Sequence, residues 1–169
     1  MKNDHNSLPV AFSNSVASER LVDVAVTTAD IGLDAAVKSG ALDGVPFFGA
    51  FTGIVRAGIA VRDYLFLKKV AAFLEAFDKT PLADRKTFID ELDKKGKKAE
   101  FGDQILLLID RMEDIEKPVI VARLISAAAT GKLPLNKALR VSKIVDRAFV
   151  EDLKTLPQFQ AGSPTNRLS

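Results

Sequence analysis

The chain contains no cysteine and no tryptophan, and only one histidine and one tyrosine among its 169 residues. Without cysteine, disulfides, thiolate catalysis and cysteine-ligated zinc are excluded, a composition compatible with a reducing cytoplasm. The lone histidine, His5, sits in a polar N-terminal stretch, so the Glu-x-x-His pairs of a di-iron bundle cannot be assembled. The phosphate-cradling loop Gly-x-x-x-x-Gly-Lys is missing, as are the dinucleotide fingerprint Gly-x-Gly-x-x-Gly and the nucleophile elbow Gly-x-Ser-x-Gly. No pair of carboxylates, lysines or tyrosine stands out for acid–base work. The expectation is a chain that is not an enzyme and that uses no cofactor and no metal.

Long apolar runs are scarce as well. The longest, Val45–Val61, is seventeen residues interrupted by Arg56. A membrane-spanning helix needs about 20 apolar residues, and an arginine at its centre costs about 2.5–3.5 kcal/mol. The segment reads better as a helix packed inside a bundle. Gly49, Gly53 and Ala57 recur at four-residue intervals, with Gly58 alongside. Such a small-xxx-small ridge lets two helix backbones approach closely, here against an alanine-rich first helix. The alternative is a segment 45–61 that leaves the bundle and inserts into lipid.

Charge is nearly balanced, with a formal net of +2, so bulk charge makes the chain no polyanion binder. Its distribution is uneven: residues 1–40 carry three basic and five acidic side chains, whereas residues 132–169 carry seven basic and three acidic. Arg140, Lys143 and Arg147 fall at i, i+3 and i+7, one stripe of a helix, and form a candidate contact for an anionic surface. No aromatic or glycine signature of a nucleic-acid module accompanies them, so nucleic acid is disfavoured.

Apolar residues recur at spacings of three and four, and strict alternation around a turn dipeptide is absent. The spacing predicts a first helix over Ser15–Ser39, with Val16, Leu21, Val24, Ile31, Ala35 and Ala36 inward and Gly40 as C-terminal cap. A second helix opens at Pro46 and continues to Asp78 with a kink near Gly58, where interior glycine weakens it by roughly 1 kcal/mol. Its latter half places Leu65, Val70, Phe73, Leu74 and Phe77 inward and Lys68 and Lys69 in water. Further helices are predicted from Pro81 to Lys94, with Phe88, Ile89 and Leu92 apolar, from Phe101 to Ile115, from Pro118 to Thr130, and from a cap at Asn136 to Leu156, where Pro157 stops continuation. The fold class is therefore all-α, a compact bundle of six or seven helices, organised as a flexible leader over 1–14, one helical domain over 15–156 and a flexible tail over 157–169.

Two charged groups have ordinary readings. Arg62 and Asp63 end the apolar stretch and make local ion pairs. Asp110, Glu113, Asp114 and Glu116 present carboxylates on one face, balanced by Arg111, Lys117 and Arg123 as a solvated surface. The abundance of phenylalanine, eleven residues, is compatible with an apolar cavity, although nothing in the sequence locates one.

The runs GIAVRDYLFLKKVAAFLEAF, ILLLIDRMED and RLISAAATGKLPLNKALRV resemble a small uncharacterised all-helical bacterial family with a glycine-rich apolar helix ending in RDxLFLKK. The resemblance covers about residues 46–153 and implies fold and bacterial origin; it transfers no functional residue. The function expected is that of a helical interaction or regulatory module binding a protein partner or itself, cytoplasmic. The alternative is a membrane-active or peripheral protein of effector or immunity type at the inner face of the membrane.

Overall fold

The computed structural model describes residues 7–55 and 60–160. Among them are ten α-helices and no strand: α1 (Leu8–Val16), α2 (Val22–Ile31), α3 (Leu33–Ser39), α4 (Pro46–Val55), α5 (Val61–Phe77), α6 (Leu82–Lys94), α7 (Lys98–Arg111), α8 (Glu116–Ala129), α9 (Leu135–Arg147) and α10 (Val150–Gln160). The bundle is built around α1. This helix packs most extensively on α7 and also meets α4, α5 and α6, while α8 lies between α5 and α9.

The helix at the centre falls largely inside the expected leader. From Leu8 onward the residues expected to be flexible form α1, with Val10, Ala11, Phe12, Ser13, Ser15 and Val16 buried. Pro9 sits in its first turn, where the missing N–H has no intrahelical partner to lose. The two serines are buried because their hydroxyls serve other elements. Ser15 Oγ accepts the N–H of Phe47 at 2.8 Å and donates to the Ala11 carbonyl at 3.0 Å, satisfying one of the free donors at the start of α4. Ser13 Oγ donates to the Lys98 carbonyl at 2.9 Å, tying α1 to the start of α7. Residues 1–6 of the expected leader lie outside the described residues.

Phe12 joins the aromatic side chains of α4 and α5 into one chain. Its ring meets Phe73 at 5.5 Å and Phe47, edge-on, at 6.1 Å. Phe73 stacks on Phe77 at 5.8 Å, and Phe47 continues to Phe48, Phe51 and Phe66. Such pairs add about 0.5–1.5 kcal/mol each beyond area burial. Phe88 and Phe101 form a separate edge-on pair between α6 and α7 at 5.3 Å. These phenylalanines fill space with one another, which accounts for their number without a cavity.

The expected first helix, Ser15–Ser39, is four pieces: the end of α1, a single 3-10 turn over Glu19–Leu21, then α2 and α3. Its periodicity runs through Gly32, whose backbone stands at φ 77° and ψ 153°, a region closed to side-chain-bearing residues. The expected helix from Pro46 to Asp78 is likewise interrupted, because Ala60 is extended and α5 starts anew at Val61; Gly58, where the kink was expected, lies outside the described residues. In α5 Leu67 takes the buried position expected of Leu65, which is exposed. Asn136 does not cap α9: Pro134 holds the cap position, and the Asn136 side chain bonds only the adjacent N–H of Lys137. That last helix also breaks at Ala148, which is extended, and α10 carries Pro157 within it to Gln160. Residues 161–169 of the expected tail lie outside the described residues.

Among the described glycines, Gly102 of α7 is the one whose missing side chain admits another helix's backbone. A Cβ placed there would overlap the Pro9 carbonyl of α1 and stand 2.9 Å from Ser13 Oγ. This is the close approach that small residues permit, at a position the ridge 49–53–57 did not indicate.

Three cations hold helix ends from neighbouring helices. Lys69 of α5 donates to the carbonyls of Asp110 and Met112, both at 2.9 Å, at the end of α7. Arg85 of α6 donates to the carbonyls of Val16 and Ser18 at 3.3 and 3.1 Å, at the end of α1, and pairs with Asp78 at 3.4 Å. Lys117 of α8 donates to the Asp146 carbonyl at 3.0 Å, at the end of α9. Each satisfies carbonyls without intrahelical partners and places positive charge at the negative end of a helix dipole. Lys69 was expected in water; its Nζ instead crosses to α7.

Two stability predictions follow from these contacts. Gly102→Ala lowers unfolding free energy, because overpacking costs about 1–3 kcal/mol and outweighs the roughly 1 kcal/mol by which alanine favours a helix; a urea midpoint equal to or above wild type would refute the crossing. Arg85→Met loses about 1–3 kcal/mol by leaving buried carbonyls unpaired, with amide exchange accelerated first at the end of α1; uniform acceleration would place the arginine's role elsewhere.

Candidate interaction surface

Helix α9 divides its side chains sharply. Ala138, Ser142 and Val145 are buried on the side packed against α8, and Ser142 Oγ turns back to the Ala138 carbonyl at 2.8 Å. The outward positions are Lys137, Arg140, Lys143, Ile144 and Arg147, all exposed. The stripe Arg140, Lys143 and Arg147 expected from spacing is thus one solvent face of one helix, extended by Lys137. Arg140 and Arg147 stand seven residues apart, about 10.5 Å along the axis.

What sets this face apart is that its cations are gathered on one helix side, since unpaired cations such as Arg20, Lys68, Lys79 and Arg123 also occur elsewhere among the described residues. Its helix has one acidic residue, Asp146, which is mostly buried and pairs with Arg111 of α7 at 3.9 Å. Lys132, Lys137, Arg140, Lys143 and Arg147 have no ion-pair partner among the described residues. By contrast Lys86 pairs with Glu19 at 2.6 Å, and this hydrogen bond holds the Glu19 carboxyl below its usual range. Lys154 pairs with Glu116 at 2.9 Å and is raised by that bond. The inward cations Lys69 and Arg85 are pushed down by burial, opposed by Asp110 and Asp78 respectively.

Apolar atoms accompany the unpaired charge. Ile144 is 59% exposed and Phe149, in the extended break before α10, is 75% exposed. A shallow groove is lined by Asn136, Lys137, Arg140, Val141 and Ile144, so cationic heads and an aliphatic floor share one surface. A surface of this kind suits an acidic partner that also buries apolar side chains. Lysines 94, 95 and 97, another exposed basic cluster, stand close in sequence to Asp90, Glu91, Asp93 and Glu100, and Lys95 and Lys97 line a separate groove with Glu100 and Leu139.

The other sequence-indicated positions are distributed differently. Gly49 lies in α4 and approaches not a neighbouring helix but its own preceding loop, since a Cβ there would stand 2.6 Å from the Asp43 carbonyl. Gly53 is within α4, and Arg56, Ala57 and Gly58 lie outside the described residues, so the ridge is not assembled as a described crossing. Val45, Phe47, Phe48 and Phe51 of segment 45–61 are core residues, and burying each phenylalanine is worth about 1.5–3 kcal/mol. No described helix is long and apolar enough to cross a membrane. The acidic group is engaged partly as expected, Asp114 by Lys117 at 3.8 Å, and partly by cations not expected, Asp110 by Arg62 at 3.6 Å and Glu116 by Lys154. No described group of three or more acidic or histidine side chains is placed to hold a metal ion.

Sequence spacing found the three central cations of α9 and missed Ile144, which falls on the same outward face, and Phe149, which follows the break at Ala148. The signal for that break was Ala148-Phe149-Val150, apolar residues out of phase with the stripe that precedes them. Compared with known protein families, curated proteins and solved structures, the chain has no match to any of them.

Proposed function

We propose that this chain is a helical docking module, and that its working surface is the outward face of α9, which binds an acidic protein surface. The observation that carries this reading is the set of four unpaired cations, Lys137, Arg140, Lys143 and Arg147, on one face of α9, where the sole helix carboxylate is turned inward, with Lys132 unpaired in the turn before the helix. Unpaired exposed charge of one sign contributes little to stability but strongly to the rate and specificity of association. The bundle supplies a rigid support, since α9 is seated on α8 and its end is held by Lys117.

The test is retention on a poly-glutamate resin across a salt gradient. Wild type is retained at low salt and elutes as charge is screened over a Debye length of about 8–10 Å. Arg140→Glu/Lys143→Glu/Arg147→Glu flows through while keeping the wild-type helical spectrum. Lys94→Glu/Lys95→Glu/Lys97→Glu, the same change in charge on the loop, elutes as wild type does. Equal loss in both variants, or none in the first, overturns the assignment to α9.

A further inference from the structure

The partner of the α9 face can be identified from the rest of the molecule. Of the ten residues of α2, only Val24 is buried, and the helix is otherwise attached through Thr28, whose hydroxyl bonds Glu75 of α5 at 2.9 Å. Opposite Val24 runs an unpartnered apolar stripe, Val22, Val26 and Ala29, at i, i+4 and i+7; Val22 is 47% exposed and Val26 55% exposed. Along the edge of that stripe stand Asp23 and Asp30, and α2 contains no cation. Neither aspartate has an ion-pair partner among the described residues.

The two faces are complementary. Helix α2 offers an apolar centre with an acidic edge; α9 offers cations beside the aliphatic side chains of Val141 and Ile144. Asp23 and Asp30 are seven residues apart, as are Arg140 and Arg147, so both pairs have the same rise of about 10.5 Å. One helix laid along the other brings both ion pairs into register while Val22 and Val26 cover Ile144. Within a single chain the faces belong to different parts of the bundle, α2 resting on α3 and α5 and α9 on α7 and α8.

We propose that the acidic surface taken by α9 is α2 of a second copy of this chain, an inference that rests on the α9 reading above. We take the contact as heterologous, α2 and α9 lying on different parts of the bundle, so each added copy presents a free α2 and a free α9 until the series closes into a ring. Assembly therefore proceeds head to tail instead of stopping at a twofold dimer.

Sedimentation over a dilution series up to about 1 mM, the weak end of specific association, tests this. Wild type gains weight-average mass with concentration, and added salt reverses the gain. Asp23→Lys/Asp30→Lys and Arg140→Glu/Arg147→Glu each associate at least about tenfold more weakly alone. Mixed in equal amounts they associate again, because every contact between the two variants joins opposite charges. The milder Asp23→Asn/Asp30→Asn, which keeps the first turn of α2 free of a lysine, weakens association in the same direction. A wild-type chain that stays monomeric across the series, or reversed variants that assemble as wild type or fail to rescue one another, overturns the proposal. If poly-glutamate retention still depends on Arg140, Lys143 and Arg147 in that case, α9 takes a different acidic partner; if it does not, both readings fall together.

Discussion

The contact between α1 and α7 sets the position of nearly everything else. It depends on Gly102, where the Pro9 carbonyl occupies the space of a side chain. With the backbones that close, Phe12 reaches across to Phe73 and Phe47, and the ring chain orients α4 and α5 around it. Ser13 and Ser15 then fall within reach of the starts of α7 and α4. The hydroxyls satisfy backbone groups that burial would otherwise leave unpaired, at a cost of about 1–3 kcal/mol each. One nine-residue helix thus supplies the aromatic centre, a close backbone approach and two polar ties.

Around this centre, helix ends are fixed by charge. Lys69, Arg85 and Lys117 each project from one helix to the carbonyl end of another. These contacts use the helix dipole where it is partly shielded from water, the setting in which it is worth most. The division between cations turned inward to carbonyls and cations left unpaired on α9 gives the molecule a chemically distinct side. Lys117 links the two, since the end of the α9 helix that carries the unpaired face is the one it holds.

Much of this was legible in the sequence. The spacing of three and four gave the all-helical class, and α6 buries Phe88, Ile89 and Leu92 as read. Gly40 closes its helix in the left-handed conformation expected. Arg140, Lys143 and Arg147 share a face, as i, i+3, i+7 spacing requires. The failures have identifiable causes. The first nine helical residues contain Pro, Ser and Asn, which read as a polar leader because their partners are backbone groups more than 30 residues away in sequence. Gly32 left the apolar period intact while breaking the helix, since periodicity records which side chains are apolar and not the sign of φ. Val22 and Val26 look like core from composition alone; that α2 buries a single residue depends on how α5 passes beneath it. Gly102 gave no signal because a solitary glycine in a helix is usually unremarked, whereas a repeated one attracts attention.

The placement of α1 also has a consequence for the order of events in synthesis. Phe47 and Phe73 can meet Phe12 once α4 and α5 emerge, but the chief partner of α1 begins at Lys98 and the arginine that holds its carbonyl end is residue 85, so those are the last of its contacts to form. Closing so large a loop costs entropy that only the completed contact returns. At elongation rates of roughly 5–20 residues per second, α1 waits several seconds for α7. The central element of the finished bundle is therefore completed only when its distant partner arrives.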